Sequence, residues 1–174
     1  MVDLSGYSTY RLYVTTPNVD DFVSSVSGDA VNQAHLSTTT SFYNSPLGIG
    51  TPNALNPLIF AAYPSLEYDS WVTIGLDQVP DLVAGEALVA TVQDAGAPWF
   101  TEFDPGGGVA GSNIVINSVV GGAWYALNGD SNGLAGVDKR VLLAQVTTNG
   151  ALSGDLYCQI LPNGTGDDRA MLSF

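Results

Sequence analysis

Short runs of alternating apolar and polar residues, each closed by Gly, Pro, Asn or Asp, recur along the whole of this chain. A strand turns successive side chains to opposite faces, so a sheet with one buried face reads with a period of two. In residues 9–15, Tyr10, Leu12 and Val14 fall on one face and Arg11, Tyr13 and Thr15 on the other. In 67–76, Tyr68, Ser70, Val72 and Ile74 oppose Asp69, Trp71 and Thr73. Further strands are predicted over 35–43, 87–92, 113–117, 123–127, 140–148, 152–161 and 169–174. About nine strands, turn-rich separators and little helix predict an all-β chain. The expected architecture is an antiparallel β-sandwich, immunoglobulin-like or jelly-roll, forming one domain over 1–174.

Three places interrupt that pattern. Residues 19–27 allow a short helix, with Asn18 as N-cap and Asp20 and Asp21 in its first turn, or else a loop. Residues 51–64 hold Pro52, Pro57 and Pro64, which exclude a central strand. They read as a long ordered surface loop, the kind of segment on which binding residues sit. Asn149-Gly150 predicts a type I′ turn that makes 140–148 and 151–161 antiparallel neighbours. The last run ends at Phe174, which either completes the chain's own sheet or lies on an edge open to another copy.

A chain of 174 residues buries enough surface to fold without a disulfide or a metal. Its apolar runs, such as 57–63, are far too short to span a membrane as a helix. There are 17 acids and 4 bases, for a net charge of −13, yet only 12% of residues are charged. So few cations exclude a nucleic-acid groove and disfavour anionic membranes. The acidity favours cations as partners, Ca²⁺ above all. A surface poor in Lys and built from Ser, Thr, Asn and Gly suits an extracellular or surface-associated module. The N-terminus lacks the basic start and apolar stretch of a signal peptide, so the chain is either intracellular or a mature or excised module carrying a start Met, and its composition favours the second. Cys158 is alone, which rules out an intrachain disulfide, and its strand context reads as a small buried hydrophobe.

The candidate cation site is the loop Asn128-Gly-Asp130-Ser-Asn132-Gly-Leu134 to Asp138. Asn128, Asp130 and Asn132 sit at positions 1, 3 and 5 of an EF-hand-like loop, with a carbonyl from Leu134. Position 12 is Lys139, Asp138 falls one place early, and strands flank the loop. A Ca²⁺ loop between strands and a plain Asx/Gly turn both fit. Asp167 and Asp168 form a second acidic loop, a cation ligand pair or a solvated hairpin. Asn163-Gly164-Thr165 is a glycosylation sequon. The segment 104–108 is a glycine turn without the Lys and helix of a phosphate loop.

Sugar C–H faces stack on aromatic rings, so the tryptophans are candidates for glycan binding. Trp71 lies in an alternating run and is expected in the core. Trp99 lies in loop-like Ala97-Pro98-Trp99-Phe100 and is expected exposed, forming a platform with Tyr43 or Tyr63. Glu67, Asp69, Glu86 and Glu102 are the carboxylates a glycosidase could pair across a cleft, Glu67 and Asp69 sharing a strand face. They read equally as solvated or turn-capping acids. His35 is the single histidine, and no Ser stands in a nucleophile elbow.

The stretches 10–13, 39–43, 66–75 and 122–130 resemble uncharacterised β-domains of marine microbes and large algal viruses. Such domains occur within long secreted or surface proteins. The resemblance spans most of the chain and implies an extracellular or virion-surface module, without assigning an activity or site residues. The function expected first is a non-enzymatic structural module that self-associates or joins a surface scaffold. The alternative is a Ca²⁺-assisted glycan-binding adhesion module, and a glycan-active hydrolase comes third.

Overall fold

A computed structural model describes residues 3–165 and 168–174. Ten strands form among them: β1 (Ser8–Thr15), β2 (Phe22–Gly28), β3 (Ala34–Thr38), β4 (Trp71–Val72) and β5 (Ala90–Val92), then β6 (Ile114–Ile116), β7 (Gly122–Tyr125), β8 (Arg140–Thr148), β9 (Leu152–Leu161) and β10 (Asp168–Ser173). All described pairings are antiparallel, as alternation with short connections requires. β1, β8 and β4 make a small sheet in that order. In the larger sheet Asp155 of β9 faces His35 on one side and Ser173 on the other, while Tyr157 faces Ser27 and Met171. β2 and β3 therefore lie end to end along one edge of β9, and β10 lies along the opposite edge. β7 and β5 continue outward from β2, and β6 from β3.

The inner faces of the two sheets meet in one core. Val14, Val72, Leu143 and Val146 of the small sheet pack with Val26, Leu36, Trp124, Leu156 and Cys158 of the large one. Cys158 is fully buried, and burial pushes its thiol up to about 12. It faces inward, whereas His35 pairs at 3.3 Å with Asp155 on the outer face.

Two predicted elements take a different form. Residues 22–28 are a strand inside the large sheet, not a helix or loop. A bulge between Val23 and Ser25 shifts the pairing with β9, so Val23 and Val26 are both buried at a spacing that mimics a helix. Asn149-Gly150 is not a hairpin turn: β8 belongs to the small sheet and β9 to the large one. Neither residue takes a positive φ. Gly150 N–H donates to Thr148 Oγ1 and Ala151 N–H to Thr39 Oγ1, so threonine hydroxyls turn the chain from one sheet to the other.

The run 67–76 keeps only Trp71–Val72 as strand. Three 3₁₀ turns precede it, Pro52–Ala54, Pro57–Ile59 and Pro64–Tyr68, each opened by its proline. Proline is suited to that place because its missing N–H would be unbonded there anyway. This proline-rich segment covers the outer face of β8, where Leu55, Leu66, Trp71 and Leu142 form a second small core with Phe60 against it. β8 is consequently buried on both faces.

Candidate functional site

The side chains expected to gather around a cation are each bound elsewhere. Asn132 is buried; its Oδ1 accepts from Ala87 N–H at 3.0 Å and its Nδ2 donates to the Ile74 carbonyl at 2.8 Å. Asp130 closes its own turn by accepting from Leu127 N–H, and Asn128 donates to the Gly164 carbonyl. Leu134 bridges to Phe22, and Asp138 lies exposed, 4.0 Å from Arg140. The Arg140 guanidinium, stacked 4.5 Å over Tyr13, lines the hollow beside Asp138, where it opposes a resident cation. Among the described residues no group of three or more His, Cys, Asp or Glu is placed to hold a metal. Asp167 lies outside the described residues.

Asn132 thus works as a brace between three backbone segments. Asn132→Ala is expected to cost about 2–3 kcal/mol, because it strands the buried Ile74 carbonyl and the half-buried Ala87 N–H. The unfolding midpoints in EDTA and in millimolar Ca²⁺ should coincide. A Ca²⁺-specific rise of several degrees, the effect of a ligand at about 100 times its dissociation constant, would return the cation to this loop.

The tryptophan platform is overturned by burial. Trp99, the tryptophan expected to be exposed, is 2% exposed. It opens the short helix α1 (Trp99–Phe103), donates Nε1–H to the Val92 carbonyl at 3.0 Å, and packs 5.4 Å from Trp124. Trp71 and Trp124 are buried as well. Of the four carboxylates, Glu67 sits in a 3₁₀ turn and shares no strand face with Asp69. Glu86 caps the Asp81 N–H and Glu102 is exposed on α1. Asp69 alone is buried.

The concave site lies elsewhere, where the proline-rich layer meets one end of the small sheet. A groove of about 880 Å³ opens there, within the size range of ligand pockets. Its floor is Thr9 of β1 and Thr147 of β8, whose hydroxyls bond each other at 2.7 Å. One wall is Tyr63, Pro64, Ser65 and Tyr68, from the last 3₁₀ turn; the other carries Tyr7 and Pro46. Tyr7 is seated edge-on against Tyr43, with ring centroids 6.4 Å apart. Tyr63 and Tyr68 are 50% and 42% exposed, so their rings are open to a ligand. Among the described residues no Asp, Glu, Lys, Arg or His lines the groove, in a chain of net charge −13.

Sequence reasoning marked Tyr63 as a possible partner of Trp99 and marked the proline-rich loop as binding-prone. It missed Tyr7 and Tyr68, which come from separated segments with no spacing to connect them. Among the described residues no helix is long and apolar enough to cross a membrane. No family model, curated protein or solved structure matches the chain.

Proposed function

We propose that this chain is a non-enzymatic surface module whose groove binds a neutral glycan. The observation that carries the reading is a groove of open tyrosine rings, prolines and hydroxyls with no charged side chain among its described lining residues. Tyrosine faces are electron-rich and stack on the C–H faces of sugars, while their hydroxyls bond to sugar hydroxyls. An uncharged lining on an acidic protein favours a ligand that brings no charge to be desolvated. A proline-rich peptide would meet the same rings, and it serves as the competitor in the test.

The test is binding to a panel of immobilised neutral hexasaccharides, β-glucan and chitin fragments included, with a proline-rich peptide alongside. Tyr63→Ala and Tyr68→Ala should each weaken glycan binding at least fivefold, the loss typical of a stacked aromatic anchor, at an unchanged unfolding midpoint. Preference for the peptide, or binding indifferent to both substitutions, would sink the glycan reading.

Self-association remains the second reading, favoured by β10. Its outer edge pairs with no described strand, and Met171 and Phe174 at that edge are about half exposed. An open edge without proline is a template for a second copy. Light scattering after size exclusion decides it: a dimer that Met171→Lys dissociates supports edge pairing, and a monomer at every concentration removes it.

A further inference from the structure

Behind the groove a carboxylate links its two walls, beside the backbone bond of Ser70 N–H to the Tyr43 carbonyl. Asp69 follows the wall residue Tyr68 directly, and its Oδ1 accepts from the Ser45 N–H at 2.7 Å, next to Pro46 of the facing wall. Ser45 Oγ also lies 3.3 Å from Ser65 Oγ. Gly48 seals the carboxylate: a methyl group on its Cα would coincide with the Asp69 oxygens. Asp69 is 2% exposed and makes no ion pair among the described residues. The charged groups around it are unhelpful. Asp104 repels it, and Glu67 lies two residues away. Arg11 pairs with Asp77 and reaches Asp69 only through Gln145, which donates to the Asp69 backbone carbonyl. The sealing segment 45–50 carries no titratable side chain.

We propose that Asp69 is a proton-controlled latch on the groove, holding the two walls together when neutral and slackening them when ionised. The proposal rests on the groove being the binding site. A neutral carboxyl fits this dry site and still accepts from Ser45. An ionised one would strengthen its bonds from the backbone N–H groups of Ser45, Ser70 and Ile49 but would be buried without a cation beside Asp104. Lifting the 45–50 segment to admit water relieves the cost, and that segment carries Pro46.

Burial, aided by the charge of Asp104 and opposed by the backbone N–H bonds of Ser45, Ser70 and Ile49, pushes Asp69 up to about 7. The unfolded chain gives up this proton near pH 4 while the folded chain keeps it. The contribution is therefore whole below about pH 4, declines as pH rises to about 7, and stays lost above.

Hydrogen exchange of the full chain, corrected for intrinsic rates, tests the latch without a ligand. Protection of the Ser45 and Gly48 amides should fall about tenfold between pH 6 and pH 8, in step with the neutral fraction. The thermal midpoint should fall as pH rises from about 4 to about 7. Asp69→Asn should abolish both trends. Asp104→Asn, which keeps the bond to Gly106 N–H, should move the transition to lower pH. Equal protection at both pH values, or the same fall in Asp69→Asn, overturns the latch. Binding of the hexasaccharide panel at pH 6 and pH 8 separates the two ideas. If the loop titrates and no glycan binds at pH 6, the glycan reading fails and the latch stands. If a glycan binds equally at both pH values and the loop does not titrate, the latch fails and the glycan reading stands.

Discussion

Gly75→Ala should cost about 3–5 kcal/mol, among the largest losses any single substitution outside the core produces in this chain. Two effects add. Gly75 has φ +76°, where an L side chain meets its own backbone at a cost of about 1–2 kcal/mol. Its Cα also faces the Asn132 carbonyl so closely that a methyl group would overlap the oxygen. Overpacking adds about 1–3 kcal/mol, at the upper end where the obstacle is backbone and cannot rotate away. The displacement would also strain the bonds of Asn132 to Ala87 and Ile74 and that of Gly75 N–H to Leu142. Gly106→Ala is the control: its φ is +81°, but nothing lies near its Cα. Denaturant unfolding should show a loss of about 1 kcal/mol for Gly106→Ala, the strain alone. Equal losses at the two positions would mean that Gly75 is not packed on the Asn132 loop.

That loop shows how sequence and structure part company. Asn, Asp and Gly at alternate positions suit a cation, a turn or a brace, because all three need short polar side chains on a tightly curved backbone. What selects the brace is Ile74, Gly75 and Ala87, far away in sequence, and no local spacing reports them. The all-β class was legible because alternation is local; β1, β8, β9 and β10 lie close to where it places them. β2 was not, since a bulge changes which residues share a face. Asn149-Gly150 misled because the hairpin rule covers strands of one sheet, and here threonine hydroxyls carry the chain across the sandwich. Trp99 misled because a residue beside a proline looks exposed, whereas Pro98 here starts a helix that turns the indole inward. The groove needs 7–9, 46, 62–68 and 147 brought together by the sheet. The one signal available was the density of prolines in 51–64, which fix that segment as an ordered wall.

Trp124→Ala should be the most damaging change in the core, at about 4–5 kcal/mol. Trp124 belongs to β7 of the large sheet and is fully buried. Its Nε1–H lies 3.0 Å from the Thr73 carbonyl and 3.2 Å from the Leu143 carbonyl, the latter on β8 of the small sheet. One side chain therefore fills the space between the sheets and bonds across it. Truncation leaves a cavity beneath Trp99 and takes the indole donor from the buried Thr73 carbonyl, while the Leu143 carbonyl keeps the Thr73 N–H. Trp124→Phe separates the two effects. It retains most of the volume and should lose only about 1–3 kcal/mol, the hydrogen bond and the indole's extra packing. If Trp124→Phe were as damaging as Trp124→Ala, the bond rather than the packing would hold the sheets together. The groove lies on the outer face of the small sheet, on the far side of β8 from this indole. Trp124→Phe should therefore lower the midpoint while glycan binding below that midpoint stays unchanged, and Tyr63→Ala should do the reverse. Loss of binding in Trp124→Phe at a temperature where it remains folded would mean that the core sets the shape of the groove.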